Sequence, residues 1–124
     1  MFSQYANIDP RCRYNPYDAG SRVWPWSVEC AQLRLGVPPW KDVDRYVRNS
    51  PMLHAENITT PLLLVQGSVD PGIAQAEEFF SVLHRLGKTV EFVRYVGEAH
   101  SIESPPNIID FWNRVYQFLD RHVR

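Results

Sequence analysis

The sequence predicts an α/β fold in which a strand-helix-strand-helix unit of parallel sheet follows a mostly irregular and helical N-terminal segment. Three observations carry this reading. A continuous apolar run, Leu62-Leu63-Leu64-Val65, closes at Gln66-Gly67 in the manner of a strand buried on both faces. Residues 73–86 then repeat apolar side chains at helical spacing, and a second β-branched stretch at 89–96 leads into a last helical pattern from Pro105 to the C terminus. Strands joined through a helix by short connections form a parallel sheet, whose crossover is right-handed.

Residues 1–40 hold five of the ten prolines and three of the four tryptophans, with breaks at Asn15-Pro16 and Ala19-Gly20. This half reads as irregular, and Tyr14, Tyr17, Trp24, Trp26 and Trp40 give it enough apolar surface to serve as core or cover. Helices are expected over 27–35, before Gly36, and over 41–48, with Val43, Tyr46 and Val47 on one face. The first strand spans 62–66. In the helix at 73–86, Ala76, Phe79, Phe80, Leu83 and Leu86 form the apolar stripe, and Gly87 stands where a left-handed cap belongs. The second strand, 89–96, alternates around Val90, Phe92 and Val93 and stops at Gly97. Ser104-Pro105 reads as an N-cap followed by a first-turn proline, with Ile108, Trp112, Val115 and Leu119 keeping the period of the closing helix.

The 124 residues fit one domain, divided into residues 1–50 and the βαβα unit of 51–124. Thirteen basic against fourteen acidic residues leave a net charge of -1, which offers no field for a nucleic-acid partner. The longest aliphatic run, four residues, is far short of the roughly 20 that cross a bilayer, and the sequence opens on no basic-then-apolar leader, so neither membrane nor export is expected. Cys12 and Cys30 allow one disulfide, but so sparse a count reads better as two thiols of a cytoplasmic protein. Two parallel strands alone leave a row of backbone donors and acceptors bare on each outer side. More strands must come from the N-terminal half or from another chain, and a homo-oligomer or a complementing segment is expected at that open edge.

Loops after neighbouring parallel strands emerge at the same carboxyl edge, where such folds bind ligands. Gly67-Ser68-Val69-Asp70 follows the first strand and Gly97-Glu98-Ala99-His100 the second. Adjacent strands lie about 4.8 Å apart, which brings Asp70 and His100 within hydrogen-bond reach. An Asp–His pair orients and steadies the imidazole of a nucleophilic triad. The alternative is that Asp70 caps the following helix and His100 is an ordinary loop histidine.

From Asn49 onward Asn49-Ser50-Pro51, Ile58-Thr59-Thr60-Pro61-Leu62-Leu63-Leu64 into Gly67-x-x-Asp70, Gln75-Ala76-Glu77-Glu78-Phe79-Phe80, and Phe92-Val93-Arg94-Tyr95 into Gly97-Glu98-x-His100 follow one another. Taken in this order, these motifs resemble the C-terminal portion of the prolyl oligopeptidase family of serine peptidases. Pro38-Pro39-Trp40 and Asp44-Arg45-Tyr46 resemble its connector. The resemblance implies the C-terminal part of an α/β-hydrolase catalytic domain, with Asp70 and His100 as the catalytic aspartate and histidine. It implies no cofactor and no metal, and a peptide or ester as the parent enzyme's substrate. Two departures stand beside the pair: the loop Asp70-Pro71-Gly72-Ile73 is one residue shorter than the family's, which puts the carboxylate's position at issue, and Ala99 replaces a favoured glycine.

Such hydrolases carry the nucleophile on a Gly-x-Ser-x-Gly turn upstream of the Asp and His. None of the eight serines has that setting; Ser68 lies in the aspartate's own loop and Ser101 adjoins the histidine. The expectation is therefore a segment supplying Asp70 and His100 to a Ser-His-Asp triad, its nucleophile and oxyanion donors elsewhere, and inactive alone. The rivals are a non-catalytic, oligomerising module derived from a hydrolase, and a small complete esterase with an unrecognised nucleophile. Other chemistry is weaker: His54, His84, His100 and His122 have no metal-ligand spacing, Cys30 has no neighbour to activate it, and Glu77-Glu78 point about 100° apart on a helix.

Overall fold

The computed structural model describes residues 2–3, 29–30 and 34–123. The chain divides into two compact units, residues 7–56 and residues 1–6 with 57–124. In the larger unit three parallel strands, β1 (Phe2–Ser3), β2 (Leu62–Gly67) and β3 (Val90–Tyr95), are ordered β1-β2-β3. β2 and β3 pair from Leu62 opposite Val90 to Gly67 opposite Tyr95. The sequence showed only these two. β1 lies along the other side of β2, opposite Leu63 and Leu64, so β2 is not bare there. A strand of two residues has no period to read, which is why it escaped notice.

Central placement explains the composition of β2, whose Leu62, Leu63, Leu64 and Val65 are all buried. Each such side chain contributes about 1.5–3 kcal/mol by leaving water. Helix α2 (Ile73–Arg85) covers one face of the sheet, where Phe80 meets Phe92, the residue in register with Leu64. It ends as the sequence predicts: Gly87 has φ +66°, its N–H donates to the His84 carbonyl, and Lys88 donates to Leu83. That pair of bonds closes the last turn and requires the left-handed residue between them.

Helix α3 (Pro105–His122) covers the opposite face, where Phe111, Val115 and Phe118 pack with Leu63, Val65 and Tyr95. Here the expected stripe is corrected. Of Ile108, Trp112, Val115 and Leu119 only Val115 is buried; the other three lie on an exposed flank. The helix carries two adjacent apolar stripes, and period alone does not tell which of them meets the sheet. Ser104 does occupy the N-cap position, but its side chain makes no capping bond. Pro105 and Pro106 have no N–H to offer it, and the end of the helix is satisfied differently.

In the smaller unit helix α1 (Val43–Arg48) begins at Asp42, whose carboxylate accepts the Arg45 N–H. Tyr46 is fully buried and donates to the Val37 carbonyl; Ser50, also buried, donates to the Tyr46 carbonyl. Val43, expected on the apolar face, is exposed, as is Trp40. Of the helix expected over 27–35, Glu29 is helical but Arg34 and Leu35 are not, Arg34 having φ +51°. Cys12, Tyr14, Tyr17, Trp24 and Trp26 lie outside the described residues. No described helix is long and apolar enough to cross a membrane.

Candidate active site

The parallel pairing of β2 and β3 sends both glycine-headed loops out at one edge, and the two are stitched together. Ser68 N–H donates to the Tyr95 carbonyl at 2.9 Å, Val69 N–H to the Glu98 carbonyl at 3.0 Å, and Gly97 N–H to Ser68 Oγ at 2.8 Å. Gly67 is dictated by that approach. A Cβ on it would fall 2.1 Å from the Ala99 carbonyl oxygen and 2.3 Å from that of Glu98.

Asp70 and His100 meet across the stitched loops. His100 Nδ1 lies 2.6 Å from Asp70 Oδ2, and the other carboxylate oxygen, Oδ1, accepts the Gly72 N–H. The Asp70 side chain is 3% exposed and that of His100 is 60% exposed, so a buried carboxylate holds a solvent-facing imidazole. An ionised carboxylate only accepts, which places the proton on Nδ1 and leaves Nε2 as the ring's basic nitrogen. The one-residue shortening of the loop has not separated them. Asp70 stays in place because its loop bonds to itself, with Asp70 N–H donating to Gly67 and Ile73 N–H to Asp70. The alternative that Asp70 caps α2 does not hold: Gly72 is the N-cap residue and no side chain caps the helix, so the Asp70 carboxylate is shared between the Gly72 N–H of its own turn and His100.

A residue that sequence reasoning passed over holds the histidine's loop. The buried Glu98 turns its carboxylate onto the start of α3, where it accepts the N–H groups of Glu103 at 2.9 Å and Ser104 at 3.1 Å and the Asn107 amide at 2.6 Å. These bonds, the Glu103 N–H foremost, pull its carboxyl below the ordinary value. Glu98 thus ties the histidine's loop to the two residues that lead into α3 and to the Asn107 side chain of its first turn. The readable signal was an acid six residues before a Ser-Pro-Pro helix start. Tyr95 braces the same region from β3, donating to Asp110 on α3 at 2.8 Å, and Arg114 donates to that carboxylate at 2.6 Å. Burial, followed by the bond to Asp110, pushes the Tyr95 phenol up to about 12. Arg114, then Tyr95, draws Asp110 down.

The remaining candidates stay apart from this pair. Ser68 Oγ is committed to the Gly97 N–H, and Ser101 is exposed. Glu77 forms an ion pair with Arg94 at 3.1 Å, while Glu78 is exposed. Cys30 is an exposed free thiol. His54 sits 3.1 Å from the Val47 carbonyl, and the rings of His84 and His122 lie tilted against Phe80 and Phe118. Among the described residues no three His, Cys, Asp or Glu side chains gather to hold a metal ion.

Comparison with known proteins accords with this architecture. The prolyl oligopeptidase family model matches residues 26–124. The chain is 30% identical over 89 residues to the uncharacterized peptidase YuxL of Bacillus subtilis, covering 68% of this chain and 14% of that protein. It is also 30% identical over 74 residues to dipeptidyl peptidase family member 6 of Caenorhabditis elegans, covering 58% of this chain and 10% of the relative. It spans, then, about a seventh or less of these relatives' length. Among solved structures, Porphyromonas gingivalis dipeptidyl peptidase 4 superposes with a TM-score of 0.65 at 22% identity, over 68% of this chain and 12% of its own. Pyrococcus horikoshii acylaminoacyl peptidase gives 0.62 at 27%, over 67% of this chain and 14% of its own. The fold is a partial α/β-hydrolase fold, and the chain belongs to the prolyl oligopeptidase family.

Proposed function

We propose that this chain supplies the acid–base half of a serine hydrolase of the prolyl oligopeptidase type, with His100 as general base and acid and Asp70 as its orienting carboxylate. The observation that carries the reading is the 2.6 Å contact of His100 Nδ1 with a buried carboxylate. As a serine Oγ attacks the carbonyl of a peptide or ester, Nε2 of His100 takes its proton and Asp70 stabilises the resulting imidazolium. Nε2 then protonates the leaving amine or alcohol, and water repeats the cycle to release the acid. The sequence has no Gly-x-Ser-x-Gly turn, so the nucleophile and the oxyanion donors come from a segment outside these residues, and the chain alone is inactive. The exposed free thiol of Cys30 favours a reducing, cytoplasmic setting.

A chimera tests this reading, with residues 26–124 replacing the matching segment of the P. horikoshii acylaminoacyl peptidase. It is expected to hydrolyse that enzyme's substrate and to lose about 10⁴-fold in kcat on His100→Ala. A fluorophosphonate probe is expected to label only the serine carried by the relative's segment, and none in the isolated chain. An adduct on a serine of this chain, or turnover indifferent to His100→Ala, overturns the proposal.

A further inference from the structure

His100 rides on the loop between β3 and α3, and every polar group of Glu98 in that loop is engaged. The Glu98 N–H donates to the Tyr95 carbonyl at 3.3 Å, and its carbonyl accepts the Val69 N–H at 3.0 Å from the loop of Asp70. Its carboxylate reaches forward to Glu103, Ser104 and Asn107, so that this one side chain closes a ring over residues 99–102. Ala99, His100 and Ser101 are exposed on the ring, and Ile102 turns back to pack against the core around Leu63, Val65 and Phe111. The bonded N–H groups show what the carboxylate holds. Neither belongs to a helical residue, since α3 begins at Pro105, so the acid fixes the end of the loop rather than a turn of the helix.

We propose that Glu98 and Asn107 are positioning residues for the reaction, a clasp that keeps the His100 ring at bonding distance from Asp70; this rests on the acid–base role proposed above for that pair. The His100 ring is mostly exposed, so burial does not hold it, and its contact with Asp70 is 2.6 Å. Such a bond is lost once the atoms part beyond about 3.2 Å, and a displacement of about 1 Å at a reacting group costs on the order of 10²-fold in rate. Asp70 is fixed by bonds within its own loop, so the freedom left in the pair is that of the loop carrying His100. The clasp removes it with a group suited to the task. Glu103 donates to Oε2, and Ser104 and Asn107 donate to Oε1, and only an ionised carboxylate accepts at both of its ends.

An isosteric exchange tests the proposal. Glu98→Gln keeps a single accepting oxygen and turns an NH₂ group onto donors, whereas Glu98→Gln together with Asn107→Asp restores the pairing with donor and acceptor exchanged. In the native chain, the His100 Nδ1 proton is expected to exchange with water at least about tenfold faster in Glu98→Gln and to regain its protection in the double variant. In the acylaminoacyl peptidase chimera, Glu98→Gln is expected to lower kcat about 10–100-fold with KM little changed, and the double variant to recover most of that loss. Asn107→Ala, which leaves both backbone bonds in place, is expected to lower kcat about threefold, and it serves where a Glu98 variant does not fold. With Asp70→Asn already present, Glu98→Gln is expected to cost less than about threefold more, because the ring it positions has lost its partner. An unchanged kcat and an unchanged Nδ1 proton in folded Glu98→Gln overturn the proposal. A loss of the same size with and without Asp70→Asn overturns it too, and marks Glu98 as a general support of the fold. A chimera that is inactive with Glu98 intact overturns the acid–base role of His100 instead, and the proton exchange in the native chain then decides whether the clasp holds the ring.

Discussion

The loop after β2 fixes Asp70 with bonds inside itself, whereas the loop after β3 holds His100 from outside, through Glu98 and the start of α3. Asp70 is buried, and its two carboxylate oxygens and its backbone are engaged within residues 67–73 and by His100. His100 is mostly exposed, and the residues around it are tied down at Glu98, two positions away. The carboxylate is thus part of the folded core, while the imidazole is a surface group on a tethered loop. Substitutions on the first side are expected to act on stability and charge together. On the second side they are expected to act on the position of one ring.

The largest effect expected is chemical. In the acylaminoacyl peptidase chimera, Asp70→Asn keeps the shape of the loop but lets the imidazole take the wrong tautomer, and kcat is expected to fall about 10⁴-fold with KM little changed. A comparable rate would show that Asp70 only holds the turn at Gly72. Next is the seam between the loops. Gly67→Ala drives a methyl into two backbone carbonyl oxygens that have no freedom to move, and urea denaturation is expected to show a loss of about 3 kcal/mol.

Glu98→Gln addresses the tether. The folded carboxyl lies below its ordinary value, so as the medium is acidified the unfolded chain takes up the proton first. The stabilisation is complete above the ordinary carboxylate value and is lost as pH falls through the folded one. The variant is therefore expected to be less stable at neutral pH, with stability falling less steeply into the acid range. Identical slopes for the two proteins would remove Glu98 from this role. The smallest effect is expected for Ser68→Ala, which deletes the exposed bond to the Gly97 N–H and costs about 1 kcal/mol in the same denaturation experiment.

The same division decides what was legible. β2, α2, β3 and the Gly87 cap were readable because apolar periodicity and a single left-handed glycine are local signals. The closeness of Asp70 and His100 followed from one non-local rule, that parallel neighbours end at a common edge. The structure departs where a contact joins distant residues. The Glu98 tether to Glu103, Ser104 and Asn107 depends on the loop folding back onto the start of α3, and β1 depends on Phe2–Ser3 reaching β2 from almost sixty residues away. The choice between the two stripes of α3 depends on which one the sheet meets, and period alone led to Ile108, Trp112 and Leu119, which are exposed, beside the buried Val115.

The most direct measurement is nitrogen-15 and proton NMR of the His100 imidazole in the native chain and in Asp70→Asn. The account predicts a proton on Nδ1, strongly deshielded and slow to exchange, whose resonance disappears in the variant. A ring protonated only at Nε2, or a spectrum the same in both proteins, would contradict it.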